Sequence, residues 1–450
     1  MRIYPPSLEI GENEGFDTRK DIFGRAKFGA GMTHLMDVVK DPMVIALDGQ
    51  WGAGKSTFLK MWAGELRNAG HPVIYFDAFE NDYLDDAFAA ITRELVELID
   101  EKTPQKVKEG RAFVEKIADM GAVVGAGVAN LAMKAGVRAV TGGILSAGDL
   151  GELHSDVTKE VEKIGENYLK KIIEKPKKQK ETIVAFKEAL SKLPELLKEK
   201  KSVEPAKPLV FIIDELDRCK PHFALEIIER IKHFFSVPGI NFVFGVHLEQ
   251  LENSVRFAYG NSINANLYLQ KFINLTVQLP IQNDKRYSPD LDRYAEYLVN
   301  LLNINKNRRT SVQIATMVRI VKENGMGFRT IERAFTIYTI ALAMAPENND
   351  HVGAFVGGLV MMKLIRSDLY KKALSGDLNL KEAMDFLCFH KIEKDTERTA
   401  WEKSWWTVAL AEEIPDNLRN FAGGLVDDHE RRELIRNAAI YIVDRLSPND

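Results

Sequence analysis

Cysteine is almost missing from this chain of 450 residues: only Cys219 and Cys388 occur. They stand far apart, in neither a paired nor a metal-ligand spacing, so no disulfide framework or zinc signature is expected. A reducing cytoplasm is the natural compartment. A charge excess is missing too. The 61 Lys and Arg against 65 Asp and Glu leave a net charge of −4, so no global cationic field draws the chain to nucleic acid or acidic lipid. Such a contact would need a local patch. No apolar run reaches the roughly twenty residues of a membrane-spanning helix. The nearest, Met120 to Met133, is fourteen uncharged residues closed by Lys134. The start, Met1 to Pro6, shows no apolar region with a small-residue cleavage site, so no export signal is expected. No internal repeat is evident.

What is present reads as globular, with 45% hydrophobic and 28% charged residues over a length of about three average domains. Between Pro42 and Lys102, short apolar runs alternate with helical periodicity. Val44–Leu47 reads as a strand, Ser56–Leu66 as a helix and Val73–Phe76 as a second strand. Phe88, Ile91, Leu95 and Leu98 then share one helical face. Residues 104–207 change character, from a charged helix through an Ala/Gly-rich stretch to Lys/Glu-rich helical segments, and read as a helical insertion. The β-α pattern resumes with strand Leu209–Ile213, a helix around Ile227, Ile228, Ile231 and Phe234, and strand Phe242–Val246. Such uninterrupted apolar strands suit a parallel sheet covered on both faces. Beyond Pro280 only helices are expected: Leu291–Leu302, Ser311–Glu323, Gly327–Met344 and a helical region to the C-terminus.

Gly49-Gln-Trp-Gly-Ala-Gly54-Lys55-Ser56 fits G-x-x-x-x-G-K-[ST] between a predicted strand and a predicted helix, the context that the mechanism requires. Its glycines let backbone N–H groups turn inward at a positive helix N-terminus. Gly49, Trp51, Gly52, Ala53, Gly54, Lys55, Ser56 and Thr57 are the expected nucleotide cradle. Lys55 would reach the β- and γ-phosphates, and the Ser56 hydroxyl would ligate Mg²⁺. The strand Leu209–Ile213 ends in Asp214-Glu215. There Asp214 can hold Mg²⁺ while Glu215 orients the attacking water and accepts its proton, which favours hydrolysis over mere nucleotide holding. Asp217 and Arg218 read as structural. No Asn-Lys-x-Asp element is found, which tilts the base toward ATP. Phe23-Gly24-Arg25 would contribute adenine contacts, with Arg25 in the nucleotide set.

These residues carry a resemblance. Asp21–Arg25, Val44–Thr57, Tyr75–Asp82, Phe211–Arg218 and Tyr268–Phe272, in that order, resemble a KAP-family P-loop NTPase, an additional-strand, catalytic-glutamate ATPase related to the STAND and AAA+ groups. The resemblance implies an α/β P-loop NTPase core with a five-stranded, mainly parallel sheet. In it the Asp214 strand is not beside the phosphate-loop strand, and a helical insertion lies between the second and third strands. The implied divisions are residues 1–103 and 208–285 for the core, 104–207 for the insertion, 286–345 for a helical lid and 346–450 for a C-terminal helical domain. Many relatives carry transmembrane helices in the insertion, which this sequence does not show. His247 falls at the sensor-1 place and Arg329 at the sensor-2 place of the lid. Lys271 falls where related AAA+ proteins put a trans-acting arginine finger, with Arg230 and Arg256 in reserve.

In the insertion, Gly121, Gly125 and Ala129 recur every four residues, which suits close helix packing in a soluble hairpin. The Lys-rich run from Lys170 to Lys201 is interspersed with Glu and nearly lacks aromatics, so it reads as a solvated face more than a nucleic-acid surface. Trp401, Trp405 and Trp406 are expected in a helical core. The combined expectation is a cytoplasmic Mg²⁺-dependent ATPase, a homo-oligomer coupling turnover to assembly or conformational signalling, with any effector chemistry on a separate chain. Relatives point to anti-phage defence. A slow nucleotide-gated scaffold and a nucleic-acid-stimulated NTPase are the alternatives.

Overall fold

The computed structural model describes residues 8–84, 86–102, 110, 112–116, 120, 180–198, 204–280, 289–344, 352–391, 396–422 and 428–444. The residues Gly121, Gly125 and Ala129, and residues 170–179 and 199–201 of the Lys-rich run, lie outside them.

Five strands form one parallel sheet in the order β2-β3-β4-β1-β5, with β1 Val44–Asp48, β2 Val73–Asp77, β3 Leu209–Asp214, β4 Ile240–Val246 and β5 Leu275–Gln278. β4 therefore separates β3 from the phosphate-loop strand β1, as the resemblance implies. Strand alternation divides the side chains between two layers. Ile74, Phe76, Phe211, Ile213, Phe242 and Phe244 pack with helices α3 (Ala87–Lys102) and α4 (Pro221–Arg230). Ile45, Leu47, Val210, Ile212 and Val243 pack with Met32 and Met36 of α1 (Ala26–Val38) and Phe58, Leu59 and Trp62 of α2 (Lys55–Asn68). Both faces being covered, β3 and β4 are buried along their full length, hence their unbroken apolar runs. β5, Leu-Thr-Val-Gln, is a largely exposed edge in which apolar and polar residues alternate.

The register puts Asp77 opposite Asp214, and Asp214 opposite Gly245. The carboxylates that end β2 and β3 thus gather on one edge of the sheet, where the loop after β1 also emerges. α4 starts with Pro221 at a position where a missing N–H costs nothing, and runs into a wider π turn over Ile231–Phe235 that brings Phe235 into the core. The sequence reading continued an ordinary helix to Phe234; the extra residue per turn is what periodicity misses. Residues 180–191 are helical, and Phe186 packs between Phe88 and Phe235.

After β4 come α5 (Leu248–Tyr259) and α6 (Ala265–Leu269), then, beyond β5, α7 (Pro289–Leu301), α8 (Arg308–Glu323) and α9 (Phe328–Met344). α8 starts with a reciprocal cap in which the Asn307 side chain accepts from the Thr310 N–H and Thr310 accepts from the Asn307 N–H. Helices α10 (Val356–Ile365) and α11 (Glu397–Leu410) belong to the C-terminal part. α7 to α11 share one apolar core from Leu291 to Val443, with Trp405 and Trp406 buried in it and Trp401 at its margin. Glu402 and Arg431, both 1% exposed, are paid for by partners. Glu402 accepts from Thr316 and Arg319 of α8, and Arg431 donates to the carbonyls of Val408, Ala411 and Glu412, closing the end of α11. Among the described residues no helix is long and apolar enough to cross a membrane.

Candidate functional site

The loop after β1 is tied at its start by the Gly49 N–H, which donates to the Val246 carbonyl at 3.2 Å. Gly52 and Gly54 both take φ of +81°, a left-handed conformation that favours glycine. A Cβ on Gly54 would also meet the Arg25 guanidinium at 3.2 Å, and one on Gly52 would meet Arg329 Cγ at 3.2 Å. Lys55, Ser56 and Thr57 form the first turn of α2, whose leading N–H groups have no partner within the helix and present a positive end to an anion. Lys55 Nζ donates to the carbonyls of Gly49 and Gln50. Burial pulls the Lys55 pKa down, opposed first by the charge of Asp217 and then by Asp214.

Asp214 is 1% exposed. Its carboxylate accepts the Tyr75 hydroxyl at 2.7 Å and the Glu215 N–H at 2.9 Å. Burial pushes its pKa up, while hydrogen bonds from Ser56 and Tyr75 oppose that by favouring the charged form. Gly245 makes the space: a Cβ there would lie 2.3 Å from Asp214 Oδ1. Glu215 follows in a left-handed conformation (φ 58°) uncommon for a side chain of its size. Its Oε1 lies 3.5 Å from the Ser56 hydroxyl and its Oε2 pairs with Arg218 Nη1 at 2.8 Å. Burial raises the Glu215 pKa, and Arg218 is the main opposing influence.

Two contacts here were not foreseen from sequence. Tyr75 reaches Asp214 because β2 lies beside β3, an adjacency that no local pattern encodes. Asp217, read as a local structural residue, instead accepts the Trp51 indole N–H at 2.6 Å across the site. The only sequence signal was the unusual density of charge in Asp214-Glu215-Leu-Asp217-Arg218.

Arg25, 4% exposed, donates Nη1 to the Ala53 carbonyl at 3.1 Å and Nε to Pro280 at 3.2 Å, and its guanidinium lies 4.6 Å from the centre of the Phe23 ring. Burial lowers its pKa to about 10. It braces the loop from behind, with Nη2 buried and unpaired. Phe23 stacks on Phe328 at the start of α9 (4.6 Å between ring centres), and Tyr294 of α7 closes on both. Arg329 follows Phe328 against Gly52, and its charge helps to hold Glu215 ionised. A cavity of about 310 Å³ results, with Lys55, Ser56, Asp214, Glu215 and Arg329 on its polar side, and Ile22, Phe23, Tyr294, Tyr297 and Leu301 on its apolar side.

His247 and Lys271 are not among the residues lining this cavity. His247 directly follows β4, at the start of α5, with its ring edge-on to Trp51 at 6.0 Å and Nε2 3.8 Å from Glu249. Lys271 is exposed on the turn before β5, 5.5 Å from the centre of the Tyr268 ring. Arg230 pairs with Glu226 and Arg256 with Glu252, each along its own helix. What the geometry does bring together is an anion cradle, a buried lysine, a hydroxyl beside a buried carboxylate, and a second carboxylate of raised pKa. Those are the parts of a site for phosphoanhydride chemistry.

The sequence matches the KAP family P-loop domain over residues 31–334, which takes in the whole sheet, the cradle and Arg329. The chain belongs to the KAP family. No curated protein matches it. Two solved structures of the Aeropyrum pernix ORC2 protein, in ADPNP-ADP complexes and in the ADP form, align with 98% of this KAP chain and with 98% and 97% of theirs. Identity is 10% in both, and the TM-scores are 0.33 and 0.34, too low a likeness to argue from. Membership of a P-loop NTPase family supports nucleotide binding and hydrolysis in general.

Proposed function

We propose that this chain is a Mg²⁺-dependent ATPase whose nucleotide state sets the arrangement of its helical lid. The observation that carries the reading is the pair at the end of β3: Asp214 buried beside the first turn of α2, and Glu215 3.5 Å from the Ser56 hydroxyl with its pKa raised by burial. A carboxylate of raised pKa at that place suits a general base for water. Lys55, released from the loop carbonyls, would bind the β- and γ-phosphates. Arg329, at the mouth of the cavity against Gly52, would meet the γ-phosphate from the lid.

The donor set fits magnesium. Ser56 and Asp214 offer hard oxygens, and among the described residues no group of three or more His, Cys, Asp or Glu could hold a metal alone. That suits an ion bound by few protein ligands together with substrate phosphates. When bound, Mg²⁺ supplies neutralisation of phosphate charge. The apolar side of the cavity, with Phe23, Tyr294 and Tyr297, suits a purine base.

Resemblance to the KAP family supports the wider reading: a cytoplasmic homo-oligomer that couples turnover to assembly or to a separate effector, with anti-phage defence as the setting. Within it, Lys271 is the residue offered to a neighbouring subunit and His247 supports the loop through Trp51. The test is Mg-ATP hydrolysis over a range of protein concentrations, with light scattering for particle mass, on wild type, Lys55→Ala and Glu215→Gln. Turnover that rises with assembly and vanishes in both variants is expected. Wild-type turnover no greater than that of Glu215→Gln, with nucleotide still bound, would refute hydrolysis and leave a nucleotide-gated scaffold.

A further inference from the structure

We propose that Asp217 is a positioning residue that, through the Trp51 indole, fixes the turn holding Glu215 against the phosphate-binding loop. This rests on the hydrolytic reading above.

The tight turn Leu216–Arg218 follows Glu215 directly. Two adjacent residues in it take partners on opposite sides of the reaction site. Asp217 Oδ2 accepts the Trp51 Nε1–H at 2.6 Å, which ties the turn to the loop, and Arg218 Nη1 donates to Glu215 Oε2 at 2.8 Å, which ties the turn to the candidate base. The backbone of Glu215 has need of such support. At φ 58° and ψ 25° it occupies a region that a non-glycine residue holds only where its surroundings over-determine it. Its own anchors are an N–H shared between Gly245 O and Asp214 Oδ1, and a carbonyl that accepts from the Arg218 N–H at 3.0 Å and from the Cys219 thiol at 3.6 Å.

The loop side shows the same dependence. Trp51 as a residue is 47% exposed, so burial does little to order its ring. Its ordered contacts are the edge of His247 and a charge-assisted bond to a carboxylate that is only 8% exposed. Asp217 has a second conceivable use, because it is the foremost carboxylate opposing the fall in Lys55 pKa. Asparagine separates the two uses: it keeps an oxygen for the indole N–H and discards the charge.

The experiment measures single-turnover Mg-ATP hydrolysis, and affinity for a non-hydrolysable ATP analogue, on full-length wild type, Trp51→Phe, Asp217→Ala, the double variant and Asp217→Asn. A displacement of the base by about 1 Å predicts a rate loss of roughly 10- to 100-fold in each of Trp51→Phe and Asp217→Ala. Analogue affinity of Asp217→Ala should stay within about threefold of wild type, and Asp217→Asn should recover the rate to a similar margin. The double variant should be no slower than the worse single one, as for two halves of one contact. Rate losses that multiply in the double variant, a loss of affinity equal to the loss of rate, or Asp217→Asn behaving like Asp217→Ala would each overturn the proposal.

Acrylamide quenching supplies a readout apart from turnover and does not depend on Asp217→Ala being highly stable, since Asp217→Asn and Trp51→Phe bracket it. The Trp51 share of the fluorescence, taken by difference from Trp51→Phe, should become more quenchable in Asp217→Ala and not in Asp217→Asn. Unchanged quenching in Asp217→Ala overturns the proposed bond. A wild type without hydrolysis sinks the enzyme reading and this role with it. An active wild type with indifferent variants sinks this role alone.

Discussion

A single methyl group at position 245 tests how the carboxylate of Asp214, proposed above to hold magnesium, is set. In Gly245→Ala the added Cβ would fall 2.3 Å from Asp214 Oδ1 and 2.5 Å from Leu59 Cδ1. The end of the leucine can swing aside. The carboxylate cannot do so freely, because the Tyr75 hydroxyl and the Glu215 N–H hold both its oxygens and the residue is 1% exposed. Overpacking of a filled interior costs about 1–3 kcal/mol. Taken up by displacing the carboxylate, that is roughly a fivefold to somewhat over a hundredfold weakening, at about 1.4 kcal/mol per factor of ten. The expected result is a half-saturating Mg²⁺ concentration for hydrolysis raised by that range, with nucleotide affinity in EDTA little changed. Gly31→Ala is the control, since a Cβ there meets nothing within 4 Å on the exposed face of α1. Wild-type magnesium dependence in Gly245→Ala would refute the reasoning. So would an equal loss of metal-free affinity, which would mean that the strand had distorted as a whole.

Two further expectations concern titration and the helical core. Burial raises the Glu215 pKa above its ordinary 4.5. A base must be ionised to act, so kcat should be lost as pH falls through that raised value, and the acid limb should stand above 4.5. Arg218→Gln removes the main influence lowering it and should move the limb to still higher pH; a limb that stays put in a kcat–pH profile would contradict the pairing. In the C-terminal part, Glu402→Ala deprives Arg319, itself little exposed, of its carboxylate, leaving it the Leu387 carbonyl and the face of Phe389. Breaking a buried pair from one side costs 3–5 kcal/mol in general. About 3 kcal/mol is expected here in urea unfolding, and a loss under about 1 kcal/mol would show that the guanidinium finds solvent.

How much of this was legible depended on the range of each signal. The strands β1 to β4 announce themselves because both sheet faces are covered, which favours near-continuous apolar runs. The cradle was legible because its glycines, Lys55 and Ser56 act through a contiguous loop whose shape the spacing alone dictates. The strand order came from resemblance to the KAP family, since nothing local in β3 says that β4 lies between it and β1. For the same reason Tyr75 and Gly245 escaped notice: each matters through a strand remote in sequence. Asp217 escaped for another reason, in that an acidic residue at the start of a turn has a sufficient local explanation in its neighbours. The π turn after α4 lies below what periodicity over a few residues can resolve.

The placement of Arg329 constrains how any change at the phosphates could spread. Arg329 belongs to the first turn of α9, and Gly327, just before it, lies so close that a Cβ would meet the Trp51 carbonyl at 2.9 Å. α9 is not a loose flap, for Ile331, Phe335 and Tyr338 sit at full burial in the same core as Phe355 of the C-terminal part and Trp406 of α11. Interiors at that packing density shift as blocks more readily than they deform. A displacement that began at Gly52 and Arg329 would therefore be borne by α9 and the C-terminal helices together. The Phe23–Phe328 stack, where the N-terminal segment meets the start of α9, would be strained by such a displacement. Phe23→Ala should accordingly loosen the start of α9 and, through Arg25, the loop that it braces, weakening ATP and ADP alike, whereas Arg329→Ala should weaken ATP more than ADP. Equal losses for both nucleotides in Arg329→Ala would place that guanidinium away from the γ-phosphate.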